Sequence, residues 1–178
     1  MFLKFLGLCV FLGAFFLSSA YNITSNVIEG IPGNININIA PFVKIGNGYY
    51  FFERNLRGNW YAAYESCRQM EAELVAFESV EELNLVSQYL NNSEDGDFYW
   101  AAGTDLAEQH KHVWFSNAQP VSSDLWIPGE PSNDDNNERC DGLWFRYGLR
   151  GLNDAKCIST HNYICEAPQP KTGYFVVW

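Results

Sequence analysis

The chain has 178 residues, with 11 Lys and Arg against 21 Asp and Glu, which gives a formal net charge of −10 at pH 7. This acidic balance argues against a nucleic-acid-binding protein and against attachment to anionic membrane surfaces, but it is compatible with cation binding. The length is that of one domain on the usual prior of ~100–200 residues, so the chain can bury a substantial core.

The first 20 residues have the pattern of a secretory signal peptide. Lys4 precedes an apolar run over residues 5–17, and Ser18-Ser19-Ala20 supplies small residues for cleavage. A transmembrane anchor is the alternative, but the run is shorter than the ~20 apolar residues that a spanning helix needs. We therefore predict a secreted, extracellular protein that does not insert into membranes.

The cysteine count points to disulfides. Cys9 lies in the predicted signal peptide, and the rest of the chain keeps four cysteines: Cys67, Cys140, Cys157 and Cys165. An even number in a secreted domain predicts two disulfides, although four cysteines allow three connectivities. A zinc site is the alternative, but no Cys-x-x-Cys pair or matching His spacing supports it.

The first half of the chain contains strand, turn and helix signals in that order. The Ile-Asn alternation at 34–39 has strand period, 46–48 is a turn signal, and 49–52 is an aromatic strand. Asn59 is a good N-cap for a first helix, and Ser79 begins a capping box for a second. The apolar stripes predicted for these helices are Trp60, Ala63, Tyr64, Cys67 and Met70, and then Val80, Leu83, Val86 and Leu90.

The second half is predicted to hold strands and a long polar loop. Strand candidates lie at 98–102, 143–147 and 163–166, and residues 116–139 are rich in Asn, Ser, Asp and Pro. Long irregular loops are uncommon in compact domains unless they are functional. Two early helices followed by strands predict an α+β domain. The tail at 168–178 fits either a docked strand or an exposed apolar end.

Oxygen-bearing side chains form two groups, and each group precedes a cysteine. The set is Glu130, Ser132 and Glu138 before Cys140, with Asn153 and Asp154 before Cys157. Calcium takes six to eight oxygen ligands, so this set is a plausible but incomplete shell. Sugar hydroxyls could supply the missing oxygens. The alternative is a solvated acidic loop.

These pieces occur in the order of a known family. The chain resembles the C-type lectin domain over residues 41–167, between an N-terminal extension at 21–40 and the tail at 168–178. The residues that carry the resemblance are Trp60, Ala63, Cys67, Trp100, Gly103, Glu130-Pro131-Ser132, Glu138, Cys140, Asn153-Asp154, Cys157 and Cys165. Residues 41–53 also resemble the opening of small secreted single-domain insect lectins.

The resemblance implies a fold, a disulfide pairing and a site. The fold would have two helices, two small antiparallel sheets and a long ligand loop, stapled by Cys67–Cys165 and Cys140–Cys157. The implied Ca²⁺ ligands are Glu130, Ser132, Glu138, Asn153 and Asp154, with Asp154 using its carboxylate and its carbonyl. Of these, Glu130, Ser132, Glu138 and Asn153 would also bind carbohydrate. The Glu130–Pro131 bond is expected to be cis.

Several positions depart from the family pattern. Ser132 replaces the usual Asn or Asp, which predicts weaker calcium or sugar binding, while Glu130 still favours a mannose-type over a galactose-type arrangement. Leu152 replaces the usual Trp and is read as a tolerated core exchange. Arg139 replaces an acid, and Asn133 is a weaker ligand than Asp. Both argue against an auxiliary calcium site, which would use Asp105 and Glu108.

The resulting hypothesis is a secreted, calcium-dependent lectin that binds glycans on a cell surface, a microbe or a matrix and has no enzyme activity. The alternative is a C-type-lectin-like protein that binds protein or matrix without calcium. An oligomer is possible but not indicated. The sequons at Asn22 and Asn91 are candidate glycosylation sites. His110, His112 and His161 match no ligand spacing, which predicts ordinary surface or core roles.

Overall fold

The computed structural model describes residues 23–29, 38–90 and 96–177. The predicted signal peptide, both sequon asparagines and most of the strand predicted at 34–39 therefore lie outside the described residues. Within the described part, no helix is both long and apolar enough to cross a membrane.

Both predicted helices form where their caps predict. Helix α1 is Trp60–Gln69, and the Asn59 side chain accepts a hydrogen bond from the Ala62 amide at 2.9 Å. Helix α2 is Val80–Tyr89, and Ser79 Oγ accepts from the Glu82 amide at 3.2 Å. The two helices bury the faces that periodicity predicts, except that Val80, at the start of its stripe, is 38% exposed.

Ten strands lie among the described residues. They are β1 Ile23–Glu29, β2 Val43–Ile45, β3 Gly48–Gly58, β4 Glu73–Leu74, β5 Phe98–Thr104, β6 Val113–Trp114, β7 Cys140–Arg146, β8 Leu149–Ala155, β9 His161–Ala167 and β10 Lys171–Val177. The α+β class with two helices is confirmed. The strands of the domain form one eight-stranded sheet, because β5 lies parallel beside β9 and joins the two antiparallel parts. In a separate two-stranded sheet, β1 pairs with β10, so the tail forms a strand, one of the two alternatives that its sequence allows.

The core lies between the helices and the sheet. Trp60 and Trp100 are 2% and 0% exposed, and each indole donates to a backbone carbonyl, to Ala101 at 2.8 Å and to Gly58 at 3.0 Å. Such paired indoles add apolar area without leaving a buried donor unsatisfied. Gly142 allows β7 to approach β5 closely, because a Cβ at this position would lie 2.1 Å from the Phe98 ring.

Two disulfides join distant parts of this core. Cys67 of α1 bonds to Cys165 of β9, and Cys140 at the start of β7 bonds to Cys157 after β8. This is the connectivity that the family resemblance implies. The first bond ties a helix to the sheet, and the second holds together the two chain segments that carry the predicted ligands.

The long connection between β5 and β7 is anchored against β8. Leu125 and Ile127 are buried, and the Ile127 amide donates to the Leu152 carbonyl at 3.0 Å. Leu152 is fully buried, in agreement with its interpretation as a core residue. This anchor brings residue 130 and its neighbours alongside Asn153 and Asp154.

Candidate functional site

The two halves of the candidate site meet at Asp154, which is fully buried on β8. Its carboxylate oxygens accept the backbone amides of Ser132 at 2.9 Å and Asn133 at 2.8 Å. The preceding Glu130–Pro131 bond is cis. The loop is thus bound to the strand by two charge-assisted hydrogen bonds, which are the stronger kind.

Glu138 organises the other end of the same loop. Its Oε2 accepts the Asp134 amide at 3.0 Å and lies 3.4 Å from the Ser132 hydroxyl. Its own amide donates to Asn133 Oδ1 at 3.2 Å. The turn between Ser132 and Glu138 is therefore closed by hydrogen bonds, and the predicted ligands of this segment face one another.

Two oxygens of the predicted ligand set accept no hydrogen bond from the described residues. Glu130 Oε2 and Asn153 Oδ1 are buried and have no hydrogen-bond partner among the described residues. Buried oxygens without a partner are costly, so native proteins usually satisfy them with water, a ligand or an ion. Two unsatisfied oxygen acceptors beside Asp154 fit the donor set that a hard cation requires.

The carboxylates of the site are partly desolvated. Burial raises the pKa of Glu130, against the opposing effects of a hydrogen bond from Ser132 and the charge of Arg146. Burial also raises the pKa of Glu138, and the nearby charge of Asp154 adds to this rise. Acidic groups that repel one another in a poorly solvated loop are stabilised by a bound cation.

The carboxylates do not form a metal site by themselves. Across residues 23–29, 38–90 and 96–177, no group of three or more His, Cys, Asp or Glu is placed to hold a metal ion. The candidate shell therefore depends on Asn153, Ser132 and oxygens from a ligand as well as on carboxylates. The full ligand set remains a prediction.

The two residues that an auxiliary calcium site would use, Asp105 and Glu108, both pair with basic side chains. Arg139 donates from Nε to the Asp105 carboxylate and from Nη2 to the Asp105 carbonyl, and Asp105 is 1% exposed. Glu108 instead pairs with Lys111 on the surface at 2.5 Å. A guanidinium therefore neutralises Asp105, and Glu108 lies in a separate surface ion pair.

His112 and Asp141 extend this network beneath the site. The His112 ring lies 2.8 Å from Asp141 Oδ1, and Asp141 is opposite Asp154 in the β7–β8 register. Burial lowers the pKa of His112, but the hydrogen bond and charge of Asp141 outweigh it and leave this pKa raised. Burial raises the pKa of Asp141 to about 6. The sequence gives no sign of this pair, because 29 residues separate them.

Comparison with known proteins identifies the domain. The Lectin C-type domain model matches residues 57–167. The chain belongs to the C-type lectin family. C-type lectin 37Da of Drosophila melanogaster is 40% identical over 162 residues, which cover 87% of each chain.

Solved structures of C-type lectin domains share the fold. The domain of murine dendritic cell inhibitory receptor 2, in complex with N-glycan, is 25% identical with a TM-score of 0.62 and covers 72% of this chain and 96% of that one. The carbohydrate-recognition domain of the mouse scavenger receptor C-type lectin is also 25% identical, with a TM-score of 0.63 and coverage of 74% and 97%.

Proposed function

We propose that this protein is a secreted, calcium-dependent lectin. Its calcium ligands are Glu130, Ser132, Glu138, Asn153 and Asp154, and all of these except Asp154 also bind the glycan. The observation that carries the proposal is a pair of buried oxygens without a partner among the described residues: Glu130 Oε2 in the loop bound to Asp154, and Asn153 Oδ1 beside Asp154 on β8. Membership in the C-type lectin family supports carbohydrate binding. The predicted signal peptide supports secretion.

Each residue has a chemical role in this proposal. Calcium, when bound, coordinates vicinal sugar hydroxyls directly. Glu130 and Glu138 accept hydrogen bonds from those hydroxyls, and the Asn153 amide donates to them, which uses both the donor and the acceptor capacity of a hydroxyl. The combination of Glu130 with a non-acidic residue at 132 favours mannose-type sugars over galactose-type sugars. Glycans on a cell surface, a microbe or a matrix fit this role equally, and no step of the proposal is catalytic.

A calcium titration tests the proposal. Calcium at about 100 times its dissociation constant should stabilise the protein by about 2.7 kcal/mol, which raises the melting temperature. A glycan array run in calcium and in chelator should show binding to mannose-type glycans only in calcium. Glu130→Gln should weaken calcium binding at least tenfold and keep the circular dichroism spectrum of the wild type.

The matched control is Glu108→Gln, which makes the same chemical change on the exposed Glu108–Lys111 pair. This variant should bind calcium and glycans as the wild type does. An unchanged calcium affinity in Glu130→Gln would show that Glu130 is not part of the site. If calcium changes neither the melting temperature nor the glycan binding of the wild type, the proposal is wrong.

A calcium-independent binder of protein or matrix is the second candidate. Two observations favour it: the exposed Ser132 hydroxyl in place of an amide, and the Arg139 guanidinium on Asp105. In this case a ligand would be retained equally in calcium and in chelator, and Glu130→Gln would leave its affinity unchanged.

A further inference from the structure

A cationic edge lies directly beside the candidate site, on the hairpin formed by β7 and β8. Arg146 ends β7, and its Nη1 is 4.0 Å from Glu130 Oε1. Among the described residues this is the one ion pair of Glu130, whose side chain is 8% exposed. The guanidinium therefore borders the site at a residue that is also a predicted ligand.

Two aromatic rings hold the guanidinium in place. Its central carbon lies 4.7 Å from the Trp144 ring centroid and 5.3 Å from the Tyr147 ring centroid. Arginine stacks on aromatic faces and keeps its planar donors available at the edge of the group. We call Trp144, Arg146 and Tyr147 the hairpin edge.

The strand register orients the hairpin edge toward the site. In the β7–β8 pairing, Gly142 is opposite Asn153 and Trp144 is opposite Gly151. Opposed residues share a face and alternate residues along a strand return to it, so Trp144 and Arg146 lie on the same face as Asn153. The Arg146 side chain is 43% exposed, so a molecule bound at Asn153 can reach it.

We propose that the hairpin edge is an anion-recognising subsite that selects glycans with a sulfate or carboxylate near the sugar bound at Glu130 and Asn153. This inference rests on the proposed lectin function. Guanidinium donors match the geometry of such oxyanions and bind them through paired hydrogen bonds. Glu130 is the carboxylate that pairs with Arg146, and its predicted role as a cation ligand leaves the guanidinium available to a second anion.

The charge of the loop determines on which side of the site an anionic substituent of the glycan can lie. Asp134 lies exposed in the turn between Ser132 and Glu138, whereas its neighbour Asp135 is paired with Lys156 at 3.0 Å. Like charges repel an anionic substituent on that side of the site. Arg146 instead attracts it on the hairpin side, so charge selects both the kind of glycan and its orientation.

The test measures the binding of matched neutral and anionic glycans to the full chain at saturating calcium. An array carries neutral mannose-type glycans, the same glycans with a sulfate ester, and the same glycans with a uronic or sialic carboxylate. The wild type should favour at least one anionic series over its neutral partner by about fivefold or more. The two anionic arms show which oxyanion is preferred.

Arg146→Gln should reduce the anionic-to-neutral ratio to about one, and Arg146→Lys should give an intermediate ratio, because lysine keeps the charge without the paired donors. Arg150→Gln is the matched control. Arg150 lies opposite Phe145 on the other face of the same hairpin and contacts that ring at 5.7 Å. This variant should keep the wild-type ratio.

Calcium affinity, measured by calorimetry without glycan, separates an effect of Arg146 on the ion from an effect on the anion. Calcium-dependent binding with equal affinity for neutral and anionic glycans would overturn the subsite and leave the lectin function intact. An unchanged ratio in Arg146→Gln would do the same. Absence of any calcium-dependent glycan binding by the wild type would overturn both.

Discussion

Ser132 is the residue at which this site departs most from the family pattern. Its hydroxyl lies 3.4 Å from Glu138 Oε2, while its amide is already committed to Asp154. A hydroxyl has one oxygen for both the ion and the sugar, whereas an asparagine can ligate through its carbonyl and donate through its NH₂. The residue is exposed, so the longer side chain can fit.

Ser132→Asn should therefore strengthen the site. One additional ligating or hydrogen-bonding group is worth about 1 kcal/mol, which corresponds to about fivefold tighter calcium or glycan binding. Isothermal titration calorimetry with calcium, and then with a mannose-type glycan, measures both effects. Ser122→Asn is a suitable control, because Ser122 is also an exposed loop serine and makes no side-chain capping bond. Equal or weaker binding in Ser132→Asn would show that an amide is not accommodated here.

At the scale of elements, the sequence predicts the helices and other features that depend on local sequence patterns. The caps at Asn59 and Ser79 and the apolar stripes are local patterns, so both helices and their buried faces were predictable. The capping box predicted at Ser79 differs in one detail. The Glu82 carboxylate accepts the Glu78 amide at 2.7 Å and not the amide of the cap residue Ser79. Glu82 Oε1 accepts instead from the Tyr50 hydroxyl at 2.6 Å, a contact across 32 residues.

Tyr50 and Glu82 line the same pocket as Glu166 of β9, and this acidic pocket has a consequence for pH. Burial raises the pKa of Glu166 to about 7, and the charge of Glu82 adds to this effect. The folded pKa lies above the ordinary 4.5, so the folded state binds the proton more tightly than the unfolded state. The stability that this group contributes is present at low pH and is lost as pH rises from about 4.5 through 7.

Glu166→Gln should remove this pH dependence. The variant keeps an oxygen that can accept the Ala76 amide, so it should match the wild type near pH 4.5 and exceed its unfolding free energy by about 3 kcal/mol at pH 8. Urea unfolding between pH 4.5 and 8 in chelator measures the difference. Glu65→Gln, on the exposed face of α1, should keep the wild-type profile. A constant difference between Glu166→Gln and wild type across this range would contradict the assignment.

At the scale of the whole molecule, much of the remaining structure depends on contacts that are distant in sequence. The parallel pairing of β5 with β9, the pairing of β1 with β10, and the contact of His112 with Asp141 have no local signal. The five predicted ligands could be named because the family keeps them in order, but Arg146 could not, since its importance arises from its distance to Glu130. The ligand set is thus a prediction that the family resemblance allows from sequence, whereas its surroundings are known only from the structure.

The two disulfides act at this scale, and their removal should have different effects. Cys67 and Cys165 are 98 residues apart, whereas Cys140 and Cys157 are 17 apart. In the chain-entropy model these loops are worth about 5 and about 3 kcal/mol. Cys67→Ala/Cys165→Ala should therefore lose more stability than Cys140→Ala/Cys157→Ala when both are unfolded in urea.

The two disulfide variants should rank in the opposite order for calcium affinity, because the bond that contributes less stability holds the ligand segments. Cys140 lies two residues after Glu138 and Cys157 lies three residues after Asp154, so this bond holds both ligand segments in position. Calorimetry at 10 °C, on protein that circular dichroism shows to be folded, should find weaker calcium binding in Cys140→Ala/Cys157→Ala and an affinity close to wild type in Cys67→Ala/Cys165→Ala. Equal losses of affinity in both variants would mean that the ligand loop depends on global stability and not on its own disulfide.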